Sequence, residues 1–382
     1  MRFSYLWKRA WPALAANMFC AALALGQRLP DIAEDTTDDS ARLISHVWSH
    51  ADTVGSRANA WSPGGTAWEP EIIESPGESS PRDHTAQQSD PGCCLCPYCQ
   101  ECPRRGVIAF LNYDSWRGIP DGNWQNNGVN AGVNFATRLG RISDLTGIGF
   151  QIGGSAGAYN WAGTDYRATH QDDAQAQGFV TYGLFRKANE SSGWSGAVVQ
   201  DWMLNSNYGE FAENPTLSQW RGQAGYAVSA WNEFGIWGTW RARGDTRFIS
   251  GFGTTSWRPI NQLNGYWHYK WGPCASDTWL WIGKPENDRL VGGGSLGDYT
   301  VGALAQAPLS NRVALTALIT YMHQSASLGP QGAKEDAWNF SIGLSFYPAY
   351  NARSRTVAGQ CWMPALPVAN NGYFLVDTDR VY

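Results

Sequence analysis

Cys93, Cys94, Cys96, Cys99 and Cys102, followed by Pro103, form the densest group of ligand-type side chains in the sequence. Cys93, Cys96, Cys99 and Cys102 are each two residues apart, close to the run that holds a bacterial iron–sulfur cluster. The last interval is one residue shorter than that run requires. Disulfides, within or between chains, are therefore the favoured state of the cluster, with zinc as the runner-up.

A second group is cationic: Arg221, Arg241, Arg243 and Arg258, with His268 and Lys270 further along. Guanidiniums gathered on one wall concentrate anions and offer forked pairing to carboxylate or phosphate. The competing expectation is structural, with the arginines paired to Glu210, Glu213 or Asp245. Other chemistry is thin. His46 and His50 stand one helical turn apart but have no third ligand beside them, so no metal site is expected. Gly292 to Gly297 mimic a dinucleotide loop without a βα unit around it. His323 has Ser325 nearby, yet no orienting partner is evident, so neither catalysis nor a cofactor is expected.

These residues can act together only if strands position them. The segment Trp338–Tyr347 alternates Trp338, Phe340, Ile342, Leu344 and Phe346 with Asn339, Ser341, Gly343, Ser345 and Tyr347. That period of two marks a strand with different surroundings on its two faces, and it recurs from Val107 onward. About twelve strands are expected, at Val107–Trp116, Gly128–Leu139, Gly147–Asn160, Ala174–Arg186, Trp194–Met203, Leu217–Ala230, Phe234–Arg243, Trp257–Trp271, Thr278–Gly283, Asp298–Ala307, Val313–Met322 and Ala337–Tyr347. Short connections follow the even strands and long polar ones the odd strands. That asymmetry belongs to transmembrane β-barrels. The fold class read from the chain is thus all-β, an antiparallel up-and-down transmembrane barrel preceded by a disordered N-terminal segment.

Alternation assigns the faces. Strand six should turn Gln219, Arg221 and Gln223 inward and Trp220, Tyr226 and Val228 outward. Strand seven should turn Glu233, Trp237, Thr239, Arg241 and Arg243 inward. In strand eight Arg258, Gln262, Asn264, His268 and Lys270 share the inner parity, and Trp257, Leu263, Trp267, Tyr269 and Trp271 the outer one. Strand directions place the four arginines near the outer mouth.

The N-terminus carries Arg2, Lys8 and Arg9 ahead of an apolar stretch from Pro12 to Leu25, with Ala22-Leu23-Ala24 as a cleavage pattern, so residues 1–26 read as a secretory signal. Residues 27–105 are acidic and Ser/Pro-rich, and read as mostly disordered with the cysteines at their end. Residues 106–348 read as the barrel domain and 349–382 as a periplasmic tail. Cys274, in a short turn, and Cys361, in the tail, would then share an oxidising side and form the best disulfide pair. The 21 Trp, 16 Tyr and 14 Phe suit interfacial girdles, whereas a net charge of −5 without a basic run excludes a nucleic-acid partner.

The segments NYDSWRGIPDGNWQNNG, VVQDWM, NPTLSQWR, SWRPINQLN, GGGSLGDY and AWNFSIGLSFYP, with the tail TVAGQCWMPALPVANNGYFLVDT, resemble a family of uncharacterised exported proteins from planctomycete bacteria. The resemblance covers Val107 to Asp377. It implies an exported, outer-membrane-type β-protein and carries no activity and no functional residue. Ordinary outer-membrane barrels end on the aromatic of their last strand; this chain continues, which makes the internal stretch Ser341 to Phe346 the candidate assembly signal.

The expectation that follows is a porin-like outer-membrane channel for small polar or anionic solutes, in contact with outer-membrane lipid, with short turns and both termini periplasmic and the oligomeric state open. Two alternatives stand beside it: a non-conducting structural or cell-surface barrel, and a soluble exported β-sandwich that binds carbohydrate through its tryptophans.

Overall fold

The computed structural model describes residues 105–379, apart from 122–124, 161–173, 189–191, 272–275, 287–289, 291–295, 325–335, 349–351 and 353–361. The expected signal segment, the acidic segment with Cys93, Cys94, Cys96, Cys99 and Cys102, and the pair Cys274 and Cys361 lie outside the described residues.

Alternating strands can satisfy every backbone group by closing into a ring, which leaves no unpaired edge. Seven strands begin it: β1 (Arg105–Arg117), β2 (Asn126–Arg138), β3 (Ile148–Tyr159), β4 (Gln175–Arg186), β5 (Trp194–Ser206), β6 (Thr216–Ala227) and β7 (Asn232–Arg243). The chain then leaves the ring as a hairpin of β8 (Asp245–Ile249) and β9 (Gly253–Pro259). It returns as β10 (Gln262–Lys270), β11 (Asp277–Pro285), β12 (Gly297–Pro308), β13 (Val313–Gln324) and β14 (Ala337–Phe346). These twelve form one closed antiparallel barrel, sealed where β14 pairs β1 from Ala109 opposite Phe346 to Arg117 opposite Trp338. The expected fold class and strand number are those observed. The connections after β4, β6, β10 and β12 are short and the one after β2 holds a helix; those after β1, β3, β5, β7, β11 and β13 all lie at the other end of the barrel. The turn expected after β2 contains a one-and-a-half-turn helix, α1 (Arg141–Thr146), stopped by Gly147 at φ 71°.

The two faces separate as the pleat requires. Outward residues are apolar and open: Leu111, Ile152, Leu184, Val198, Ile236, Leu263, Ile282, Ile319 and Leu344 are all exposed. Aromatics ring both ends of this belt. Trp194 meets Tyr226 and Phe234 stacks on Trp267 toward the short turns, while Tyr113, Trp240, Tyr299 and Phe340 lie toward the long connections. Inward residues are polar and buried, among them Asn130, Asn134, Gln151, Gln177, Thr181, Asp201, Gln219, Asn264, Thr300 and Asn339.

Two expectations need correction. The run Trp257–Trp271 is two strands: Pro259 has no N–H for a ladder, and the Ile260 N–H that follows donates to the Leu375 carbonyl at 2.9 Å. Trp257, expected outward, is buried in β9, and Arg258 belongs to the hairpin instead of the barrel wall. The C-terminal tail, expected as a free periplasmic extension, instead runs inside the barrel. Trp362 sits beside Phe185 and Arg138 at the short-turn end, and Met363 packs with Ile108, Ala314 and Tyr347. The far end of the tail forms β15 (Val376–Thr378), which pairs β9 at the long-connection end with Val376 opposite Pro259 and Thr378 opposite Trp257. The physical reason is composition: Trp362, Met363, Leu366, Val368, Tyr373, Phe374, Leu375 and Val376 are too apolar to remain in water when a lumen can bury them.

Candidate functional site: a lumen filled by the C-terminal segment

Inward side chains of successive strands grip the tail through its backbone. On β3, Gln151 accepts from the Ala365 and Leu366 N–H groups at 3.0 and 3.2 Å and donates to the Leu366 carbonyl at 3.0 Å. Asn134 of β2 donates to that same carbonyl at 2.9 Å. On β4, Thr181 accepts from the Ala369 N–H at 3.0 Å, and Gln177 exchanges amide hydrogen bonds with Asn371. On β6, Gln219 donates to the Tyr373 carbonyl at 2.9 Å, and Arg221 to the Pro367 carbonyl at 2.7 Å.

Between these contacts the tail's large side chains occupy separate pockets. Leu366 packs with Ala136, Phe185, Ala197 and Val199; Tyr373 with Trp237, Tyr266, Trp281 and Leu318; Leu375 with Ile119, Ile260, Leu296 and Met322. At Gly372 the tail passes close to the wall. A Cβ there would stand 2.8 Å from Asn339 Oδ1 and 3.0 Å from Leu318 Cδ2, so the backbone touches the wall.

The centre of this arrangement is a buried ion pair. Arg221 Nε lies 3.0 Å from Asp201 Oδ2 and its Nη2 donates to Oδ1 at 3.1 Å; the side chains are 1% and 0% exposed. Asp201 also accepts from Thr181 and Gln219, and the guanidinium lies over the Tyr373 ring at 4.8 Å. A buried pair persists when its other donors and acceptors find partners; here the tail takes one, the Arg221 Nη2 bond to the Pro367 carbonyl, and Thr181 and Gln219 of the wall serve Asp201.

Of the other cations, Arg241 lies on the neighbouring strand opposite Gln219, whereas Arg258 is in the β8–β9 hairpin and Arg243 is exposed. Arg241 donates to the Pro259 carbonyl and pairs with Glu286. Arg258 pairs with Asp377 of β15 at 3.1 Å. Arg243, expected inward, is exposed at the last position of β7, because the β6–β7 register shifts at Ser218 and Gln219. The acidic partners are thus Asp201, Glu286 and Asp377, whereas Glu213 and Asp245 lie beside Arg247. Asp201 is on a barrel strand and Asp377 in the tail, and sequence reading did not single out either.

His268 and Lys270 lie toward the short-turn end. His268 stacks on Trp279 at 3.7 Å between two carboxylates, Glu233 at 3.9 Å and Asp277 at 3.5 Å. Glu233 also receives the hydroxyls of Ser195 and Tyr266. Lys270 is buried beside the Trp231 ring. His323, on the outer surface, has a partner that the sequence did not reveal: Asp336 Oδ1 is 3.2 Å from its Nδ1, and Tyr321 donates to the same carboxylate. Ser325 lies outside the described residues. Among the described residues no three His, Cys, Asp or Glu side chains gather in a way that could hold a metal.

Fold and lumen together define a class: a closed twelve-stranded antiparallel barrel occupied along its axis by its own C-terminal segment. The chain belongs to the family described as "Family of unknown function (DUF6666)", whose model matches residues 107–376. That match runs from β1 to the first residue of β15, so the lumenal segment is part of the family's unit. No curated protein matches the chain. Among solved structures it is similar to the COG4313 outer membrane channel from Pseudomonas putida F1, at 10% identity and a TM-score of 0.39, over 64% of this chain and 96% of that one. It is also similar to the KdgM porin, at 9% identity and a TM-score of 0.33 over 63% of this chain and 98% of that one. Outer membrane phospholipase A from Escherichia coli matches at 8% identity and a TM-score of 0.37, over 63% of this chain and 92% of that one.

Proposed function

We propose that the chain is an outer-membrane β-barrel held shut by its own C-terminal segment, a non-catalytic envelope protein that passes small polar solutes only when that segment leaves. The observation that carries this is the run of tail backbone from Ala365 to Leu375, hydrogen-bonded to the wall at Asn134, Gln151, Thr181, Gln219 and Arg221. A segment seated in this way stands in the path of a solute.

The outer-membrane part of the proposal rests on the belt of outward apolar residues between two aromatic rings, with polar residues inside. The alternation of short and long connections supports periplasmic short turns, and the Arg/Lys-headed apolar leader supports export. An anion preference has weaker support than the sequence alone gave it, because Arg221, Arg241 and Arg258 are each engaged by a carboxylate.

The test is electrical. The full chain, refolded from detergent into a planar bilayer, should insert without steady current, and the chain lacking 362–382 should give discrete openings. Steady ohmic current through the full chain would overturn the proposal.

A further inference from the structure

We infer that the lumen is a binding site for a polypeptide segment, read through its backbone, and that the C-terminal segment is its resident ligand. This rests on the closed-barrel proposal and goes beyond it by naming the ligand class that the interior is built to hold.

The wall contacts are of the kind that a peptide backbone supplies and a small solute does not. Gln151 uses its amide as an opposed donor and acceptor against Leu366, which is how a neighbouring strand would pair with that residue. Asn134, Arg221 and Gln219 aim donors at the carbonyls of Leu366, Pro367 and Tyr373, and Thr181 offers an acceptor to the Ala369 N–H. These contacts come from β2, β3, β4 and β6 and meet successive points of one chain running along the axis. At the far mouth recognition becomes ordinary strand addition, with β15 completing the β8–β9 sheet.

Backbone contacts fix the direction and register of a strand and are indifferent to its side chains. Selectivity then resides in the pockets that receive Leu366, Tyr373 and Leu375 and in the close approach at Gly372. The preferred ligand is therefore a segment with small residues or proline between widely spaced large apolar ones and a turn like that at Asn370–Phe374, entering from the short-turn end.

The experiment keeps the full chain. A protease site is inserted within 353–361, the protein is refolded and cut, and a fluorescent synthetic peptide of residues 362–382 is added. We expect the cut tail to survive gel filtration, to exchange with excess labelled peptide, and to be displaced at least about tenfold less effectively by a peptide N-methylated at Leu366 and Ala369. Gln151→Leu should speed release of the cut tail by a similar factor. Equal competition by the N-methylated peptide would overturn the inference. So would loss of the cut tail with no rebinding, and if the emptied barrel then conducts, the closed-barrel proposal survives alone. Steady current through the uncut chain would overturn both.

Discussion

Replacing Arg221 by Met together with Asp201 by Asn tests how firmly the tail is held, because removing both charges strands neither in the lumen. The two contacts that Arg221 makes with the tail are lost. One is a charge-assisted hydrogen bond to the Pro367 carbonyl at 2.7 Å, a type worth about 1.5–3 kcal/mol. The other is the guanidinium over the Tyr373 ring at 4.8 Å, worth about 0.5–2 kcal/mol. The sum, about 2–5 kcal/mol, corresponds to a shift of roughly 30-fold to several thousand-fold toward the undocked tail. Thr181 and Gln219 donate to different oxygens of Asp201, so the single carbonyl oxygen of the Asp201→Asn amide keeps one of these two wall bonds and the other is lost. Deuterium exchange of the Ala365, Leu366 and Ala369 amides, followed by mass spectrometry in detergent micelles, reads the shift directly. Those three N–H groups are bonded to Gln151 and Thr181 only while the tail is docked. Exchange there should accelerate by that factor while β11 to β14 stay protected. Unchanged tail exchange would refute the assignment of Arg221 as a clamp, and equal acceleration in the distant strands would show that the barrel itself had loosened.

Ile342→Arg or Leu344→Arg, on the outward face, should cost about 2–4 kcal/mol in lipid refolding titrations, whereas Ser341→Ala, inward on the same strand, should stay within about 1 kcal/mol. Gly372→Val should raise the opening frequency in bilayers, because side-chain atoms of Asn339, Leu318 and Thr320 already occupy the space a Cβ needs; a cost of about 1–3 kcal/mol should appear in tail docking and not in barrel unfolding. Tyr266→Phe, which removes a hydroxyl donated to buried Glu233, should lower refolding stability by about 1–3 kcal/mol without changing conductance.

The barrel was legible because each strand carries its own record of which face is greasy, and that record is local. Trp220, Tyr226 and Val228 outward and Gln219 and Arg221 inward follow from parity alone. Parity is lost where the backbone breaks its period. Pro259 inside the Trp257–Trp271 run signalled such a break, and the register shift at Ser218 moved Arg243 out of the lumen set. The tail was misread because its partners are remote: Asn134 and Leu366 are 232 residues apart, and Gln151 and Ala365 are 214. Nothing in a polar inward residue says whether it faces water or another strand. The one available signal was the apolar character of Met363 to Val376, more than a segment left in water would carry.

A hydrogen-bonded ring closed around a segment of the same molecule is a threaded object, and threading constrains the order of events. The β1–β14 seam joins the two ends of the barrel, and the axial segment follows β14 in the chain. Either the seam stays open until residues 362–379 lie across the interior, or those residues are drawn through a finished ring and then secured by pairing Val376–Thr378 with β9. By the first route, closure waits for a segment made after every barrel strand. By the second, the β8–β9–β15 sheet is a stopper, and withdrawing the thread requires unzipping it before any axial contact can slide.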